Sequence, residues 1–375
     1  MTDNGPLSVY WHPRTIDHEP PDGAFKLPSQ PFLAVDEPHP DQPARIRNIK
    51  QIVESTFGST VFTTAEPAPR SAIERVHDPA YVSWLEEFTT EGGGYIDGTT
   101  TAANEATFDA ARHAAGTALA ATDHALETRS GVPYALARPS GHHAQTDRAD
   151  GFCFLNNAAV AAQHALDEGL DRVAIVDWDV HHGNGTQEIF ENRDDVLLVS
   201  IHNDHGAWDP TYHPQTGGLE EVGVDDGEGY TVNLPVPPGT GDEGYERIFD
   251  HLIEPIVAEY DPDLIVFSAG QDPGPSDPLG RNLVTRAGFR TLGKRARGLA
   301  ASTSDDRYIL LQEGGYQISH IALATLGVLE GATGKRFDLP TFGDSDPLAW
   351  LDEPADSLGS ALSDARDRHA EFWPV

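Results

Sequence analysis

Arg172-Val173-Ala174-Ile175-Val176-Asp177-Trp178-Asp179-Val180-His181-His182-Gly183-Asn184-Gly185-Thr186-Gln187 runs from a β-branched apolar segment straight into a dense polar turn. An apolar run this short and this rich in valine and isoleucine predicts a buried strand. Side chains two apart in an extended chain point the same way, so Asp177, Asp179 and His181 share one face where the strand runs out. Carboxylates gathered there are costly to bury uncompensated, and a divalent metal or a histidine partner is the usual compensation.

The same pattern recurs outward from this stretch. Strand-like runs are expected at Tyr134 to Ala137, Val196 to Ile201, Tyr230 to Val236, Leu264 to Ser268 and Tyr308 to Leu311. Helical patterns lie at Asn104 to Thr128, Asn157 to Glu168, Gly244 to Tyr260, Thr285 to Ala301 and His320 to Glu330. Strands alternating with helices predict an α/β fold, a mostly parallel sheet with helices on both faces. No short-period repeat or low-complexity linker divides the chain, so one domain is expected over 1–375. Its motif-bearing core covers about 9–331, and a C-terminal segment, 346–375, packs on the body with a helix over Leu358 to Phe372. Upstream, Arg45 to Ser55 and Ala80 to Phe88 read as helices. The Pro- and His-rich stretch 9–70 reads otherwise as long loops capping the body, with His12, His18 and His39 as surface-loop residues.

Polar clusters follow five of the strands: Arg138-Pro139-Ser140-Gly141-His142-His143-Ala144, Asp177 to His181, Ser200-Ile201-His202, Ser268-Ala269-Gly270-Gln271-Asp272 and Glu313-Gly314-Gly315-Tyr316. Open parallel sheets bind ligands at the carboxyl ends of their strands, so these distant segments are expected to meet in one active site.

Composition narrows the setting. With 25 Lys+Arg against 60 Asp+Glu the formal net charge is −35, and only four of the basic residues are lysine. A dense carboxylate surface of this kind suits a halophilic protein in a salt-rich interior, where it stays hydrated and screened. It repels phosphate backbones and anionic membranes, which argues against direct nucleic-acid or membrane binding, and it draws in cations. The single cysteine, Cys153, permits no internal disulfide and reads as a small buried residue in a reducing compartment. The N-terminus has neither a basic start nor an apolar run, which argues against a signal peptide, and no stretch is apolar enough to span a bilayer, so a cytoplasmic location is expected.

Asp179, His181 and Asp272 make a plausible three-ligand set for a metal with an open position. Two carboxylates and one imidazole form a hard donor set, so Fe2+, Co2+ or Mn2+ could replace Zn2+. His142 and His143 offer proton transfer near neutral pH. Asp177 can orient one of them through its second ring nitrogen and Asn184 the other. Tyr316, in a glycine turn, can reach inward to stabilise an oxyanion. Phe152 and Trp208 are candidate walls of a narrow apolar channel, and Asp204 and His205 read as solvated loop residues.

Arg138 to Ala144, Gly151-Phe152-Cys153-Phe154-Leu155-Asn156-Asn157, Asp177 to Gln187, Ser268 to Asp272, Asp277-Pro278-Leu279-Gly280 and Glu313 to Tyr316 together resemble the signature set of the histone deacetylase superfamily. Trp178 to Gln187 is similar to its class II branch and the prokaryotic relatives, which include acetylpolyamine amidohydrolases and acetoin-utilisation-type proteins. The resemblance implies a single arginase-like α/β domain with long loops at the strand C-terminal ends, and zinc-dependent hydrolysis of an acyl amide. The implied substrate is an acetylated lysine of a protein or, alternatively, an acetylated polyamine or other small acylated amine; a non-catalytic acyl-lysine binding protein is a remote alternative. It implies metal ligation by Asp179, His181 and Asp272, catalysis by His142, His143, Asp177, Asn184 and Tyr316, and a substrate tunnel at Gly151, Phe152, Trp208 and Gly314. A structural K+ is implied near Asp177, Asp179, His181, Ser200 and Ile201, held largely by main-chain carbonyls, and a homo-oligomer is compatible with the resemblance. Pro273-Gly274-Pro275 and Trp208-Asp209 depart from the family pattern at the rim.

Overall fold

A computed structural model describes residues 6–23, 31–96, 101–204, 216–339, 346–347 and 351–375. Ten strands are present among them: β1 Leu7–Trp11, β2 Phe62–Thr64, β3 Gly94–Ile96, β4 Thr101–Ala103, β5 Val132–Ala135, β6 Val173–Asp177, β7 Val196–Asn203, β8 Thr231–Val236, β9 Leu264–Ala269 and β10 Tyr308–Gln312. Eight of them form one sheet in the order β2-β1-β5-β10-β9-β6-β7-β8, every neighbouring pair parallel. β3 and β4 make a separate antiparallel ribbon.

Period-two alternation divides each central strand between two cores. Ala174 and Val176 of β6 and Leu197 and Val199 of β7 join the cluster on one face, while Val173, Ile175, Val196 and Leu198 join the other. Helices cover both, including Thr107–Thr128 and Asn157–Asp167 on one side and Arg286–Thr303 on the other. The expected α/β architecture is therefore the observed one.

Two local readings need correction. The stretch taken for capping loops contributes β1 and β2, and β1 lies inside the sheet, paired with β5 through Leu7↔Val132 to Tyr10↔Ala135. Its alternation lasts only five residues before the proline-rich turn at His12-Pro13, too little to stand out from its surroundings. The helix read over Gly244 to Tyr260 is interrupted by a wider π turn, Phe249–Ile253, between Asp242–Ile248 and Glu254–Tyr260. Pro255, the second residue of the last piece, cannot donate to the preceding turn, which is a physical reason for the bulge. At the C-terminus the helix is Ala361–His369, and Leu358, Leu362 and Ala365 pack into the core beneath β8.

β5, β10, β9, β6 and β7 stand side by side in the sheet. They are the five strands whose ends carry the polar clusters, so adjacency in the sheet converts separation in sequence into one site.

Candidate active site

At the end of β6 the chain turns through Asp177, Asp179 and His181, and β9 delivers Asp272 beside them. The ligand atoms of Asp179, His181 and Asp272 lie within 4.8 Å of one another, all three residues buried. His181 Nδ1 is 3.0 Å from Asp179 Oδ1 and 3.0 Å from Asp272 Oδ2. The end of β10 presses against this trio: Gly314 donates its N–H to Asp179 Oδ2 at 2.8 Å. A Cβ at Gly314 would sit 2.2 Å from Asp272 Oδ2 and 2.6 Å from Asp179 Oδ2, so a glycine is required there. Gly314 therefore touches the carboxylates themselves.

The trio calls for positive charge. Burial and the neighbouring Asp179 push the Asp272 carboxyl up to about 8. Burial works against a charged His181, yet Asp272 and Asp179 raise it to about 10. Two buried carboxylates this close need compensating positive charge, and this donor set fits a divalent ion.

His142 and His143, in the loop after β5, occupy different environments. His142 Nδ1 lies 2.9 Å from Asp177 Oδ2, and its other nitrogen is 3.8 Å from Asp179 Oδ1. Burial opposes its charge, but Asp179 and Asp177 outweigh that and hold it well above the usual imidazole range. Asp177 is fixed in turn by accepting the Asp179 N–H at 3.0 Å. His143 Nδ1 meets Asn184 Oδ1 at 2.6 Å. Burial, followed by the positive His142 alongside, keeps His143 well below the ordinary value. The pair thus combines one imidazole that favours its proton and one that refuses it.

Tyr316 is buried, its ring edge-to-face with Phe152 at 5.7 Å and beneath the Arg45 guanidinium at 4.5 Å. Burial above all holds its hydroxyl well above 10, so it stays a hydrogen-bond donor. Phe152, read in the sequence as a candidate channel wall, has a left-handed backbone at φ +69° and packs with Tyr316 and Leu279. Gly151 also has positive φ, and a Cβ there would come 2.3 Å from the His143 ring. Ser200 stands across from Asp177 in the β6–β7 register, with Ser200 and Ile201 both buried. Its hydroxyl lies 2.9 Å from His202 Nδ1. Cys153 is fully buried, as expected, and burial raises its thiol. Asp204 is exposed. Trp208 and His205 lie outside the described residues.

Several residues around the site were given no individual role in it by the sequence. His18 and His39, read as surface-loop residues, are buried. His18 bonds Thr107 Oγ1 at 2.8 Å, and burial lowers it to about 4; His39 packs edge-on against Phe152 at 4.7 Å. Only His12 stays partly exposed, accepting the Arg14 N–H and stacking on His113. Asp41 joins two buried arginines, Arg45 and Arg138. Arg45 also donates to the carbonyls of Gly315 and Glu313, so this ion cluster fixes the turn that carries Tyr316. Asp277 braces the same turn, accepting the Tyr316 and Gln317 N–H groups. Glu313 accepts the Gly141 N–H at 2.7 Å, tying the histidine loop to β10, and burial pushes it up to about 7. The proline density around His39 and Asp41 was a signal of ordered structure, but it does not say what a loop covers.

Residues 39–332 match the family model described as "Histone deacetylase domain". The chain is 39% identical over 372 residues to Histone deacetylase 8 of Arabidopsis thaliana, covering 98% of this chain and 97% of that protein. It is 36% identical over 302 residues to the Histone deacetylase-like amidohydrolase of Pseudomonas aeruginosa, covering 80% and 78%. The crystal structure of the HDA15 HD domain superposes with a TM-score of 0.84 at 32% identity, over 99% of this chain and 96% of that one. An acetylpolyamine aminohydrolase from Burkholderia pseudomallei superposes with a TM-score of 0.74, also at 32% identity, over 88% and 98%.

Proposed function

The chain belongs to the histone deacetylase domain family, and on that premise we propose that it is a zinc-dependent hydrolase that removes an acetyl or related acyl group from an amine, with N-ε-acetyl-lysine of a protein as the first substrate. The observation that carries this reading is the buried Asp179–His181–Asp272 trio facing two histidines of opposite charge preference.

Asp179, His181 and Asp272 would hold the metal, with Fe2+, Co2+ and Mn2+ as other ions this donor set accepts. When bound, the ion supplies Lewis acidity toward the acyl carbonyl and acidity to water near neutral pH. His143, held neutral, takes a proton from the attacking water through the nitrogen that Asn184 does not engage. His142, held cationic by Asp177 and Asp179, stabilises the negative charge that builds on the acyl group. Tyr316 donates its O–H to the acyl oxygen as that oxygen becomes an oxyanion. The C–N bond then breaks, the proton on the histidine pair passes to the leaving amine, and a carboxylate and a free amine are released. Phe152, stiffened by His39 and Leu279, walls the apolar path for an aliphatic stem.

A K+ held by main-chain oxygens around Asp177, Asp179, His181, Ser200 and Ile201 belongs to the same proposal, supported by the pairing of Ser200 with Asp177. The acidic surface supports function in a salt-rich interior. Among the described residues no helix is long and apolar enough to cross a membrane.

The likeness to an acetylpolyamine aminohydrolase keeps small acylated amines as the second substrate class. In concentrated KCl, acetate release from an acetyl-lysine peptide and from an N-acetylated polyamine, measured side by side, tests the reading. Faster release from the peptide supports it, faster release from the polyamine moves it to the second class, and release from neither by metal-loaded protein contradicts both.

A further inference from the structure

Asn184 begins a helix, Asn184–Phe190, and its side-chain amide sits between two groups. Oδ1 faces His143 Nδ1 at 2.6 Å, and Nδ2 donates to Asp150 Oδ2 at 3.1 Å. An amide is nearly symmetric in shape and opposite in polarity at its two ends, so its orientation decides what it asks of a neighbouring ring. With Oδ1 toward His143, the ring must carry its proton on Nδ1, and Nε2 is left with a lone pair. Were the amide turned over, Nδ2 would donate to Nδ1, the proton would move to Nε2, and that nitrogen could not accept another.

Asp150 selects between these states. Its carboxylate can only accept, so an overturned Asn184 would place Oδ1 against Asp150 Oδ2 and lose a bond in a buried site. Asp150 cannot swing away readily, because its Oδ1 accepts the Gly151 N–H at 2.9 Å and its main chain exchanges two hydrogen bonds with Cys153. Gly151 is the residue packed so closely on the His143 ring that no Cβ fits. The turn that positions the ring therefore also carries the group that polarises its partner.

We propose that Asp150 is a positioning residue which, through Asn184, fixes the Nδ1–H tautomer of His143. The proposal rests on the reading that His143 moves a proton. An uncharged amide next to His143 keeps the carboxylate of Asp150 one residue further out, where it still favours a protonated ring but less strongly than burial and His142 oppose one.

The test is an isosteric exchange. In Asp150→Asn the new side chain must keep its oxygen on the Gly151 N–H, which turns its NH2 toward Asn184 and favours the overturned amide. We expect kcat to fall about 10- to 100-fold, the range for losing a group that orients a site histidine, with KM, metal content and melting temperature near wild type. Adding Asn184→Asp restores the chain of bonds: the residue-150 NH2 donates to the new carboxylate, which accepts from His143 Nδ1–H; a carboxylate there also raises the His143 pKa, so the acidic limb should move alkaline and most of the lost kcat should return on the plateau above it. Unchanged kcat in the single variant, or a folded and metal-loaded double variant no faster than the single one, overturns the proposal. Histidine 15N spectra of the wild-type holoenzyme give a test that needs neither folding of a variant nor activity. His143 protonated at Nδ1 supports the inference, and protonation at Nε2 alone refutes it. A protein inert toward every acyl amide but showing the Nδ1–H ring would refute the functional reading and leave the tautomer assignment standing.

Discussion

Asp177→Asn is the substitution whose consequences the site geometry constrains most tightly. Asp177 accepts the Asp179 N–H through Oδ1 at 3.0 Å and engages His142 Nδ1 through Oδ2 at 2.9 Å. Asparagine has one oxygen, and the main-chain donor is immovable, so the NH2 is forced toward His142. Two effects follow. The imidazolium loses a charge-assisted bond of about 1.5–3 kcal/mol, which at about 1.36 kcal/mol per pH unit lowers its pKa by roughly 1–2 units. His142 Nδ1 must also become an acceptor, which places the neutral ring in the wrong tautomer. His142 is held well above its ordinary value, so in the wild type its charge persists as pH rises and is lost only above that raised value. Removing Asp177 brings the loss to lower pH, and the basic limb of kcat/KM should move acidward by roughly 1–2 units. The plateau should fall about 10²- to 10⁴-fold, the range for positioned acid–base groups. The assay is a pH–rate profile of enzyme matched for metal content and melting temperature. A variant with full metal, an unmoved basic limb and an undiminished plateau would refute the role given to His142.

Three further outcomes are expected. Tyr316→Phe keeps the ring contacts with Phe152 and Arg45 but removes the donor, so kcat should fall about 10²- to 10³-fold with bound metal unchanged; an active Phe variant would remove Tyr316 from the chemistry. Gly314→Ala pushes a methyl into the Asp179 and Asp272 carboxylates, and it should weaken metal retention in a chelator competition, with wild-type retention counting against this ligand set. The charge of −35 is screened over about 3 Å in 1 M salt but over about 8 Å in 0.15 M, so dilution of KCl should lower the melting temperature, and a rise would contradict the salt-adapted reading.

What could be read in the sequence depended on how local its cause was. Val173 to Val176 announces a buried strand by itself, and the polar residues that follow announce a strand end, so the α/β class and the meeting of Asp179, His181 and Asp272 were accessible. Leu7 to Trp11 was not, because five residues of alternation beside a proline-rich turn look like loop until β5 supplies a partner. His18, His39 and Asp41 were misplaced or passed over for a related reason. Their burial comes largely from Thr107, Phe152 and Arg138, which are distant in the chain and carry no local periodicity. Asp150 is the sharpest case: in sequence it is one acidic residue among many, and only the 3.1 Å contact with Asn184 gives it a part.

In the proposed function, hydrolysis depends on one metal held by Asp179, His181 and Asp272. Its most direct test is to strip the protein with a chelator in concentrated KCl, confirm by circular dichroism that the fold survives, and titrate Zn2+ back while following both bound metal and acetate release from an acetyl-lysine peptide. The expected result is no release from the stripped protein and a rise in step with occupancy that stops at one equivalent, with Asp272→Ala binding and releasing little. Full hydrolysis by the metal-free protein, or by an Asp272→Ala variant that retains no metal, would contradict it.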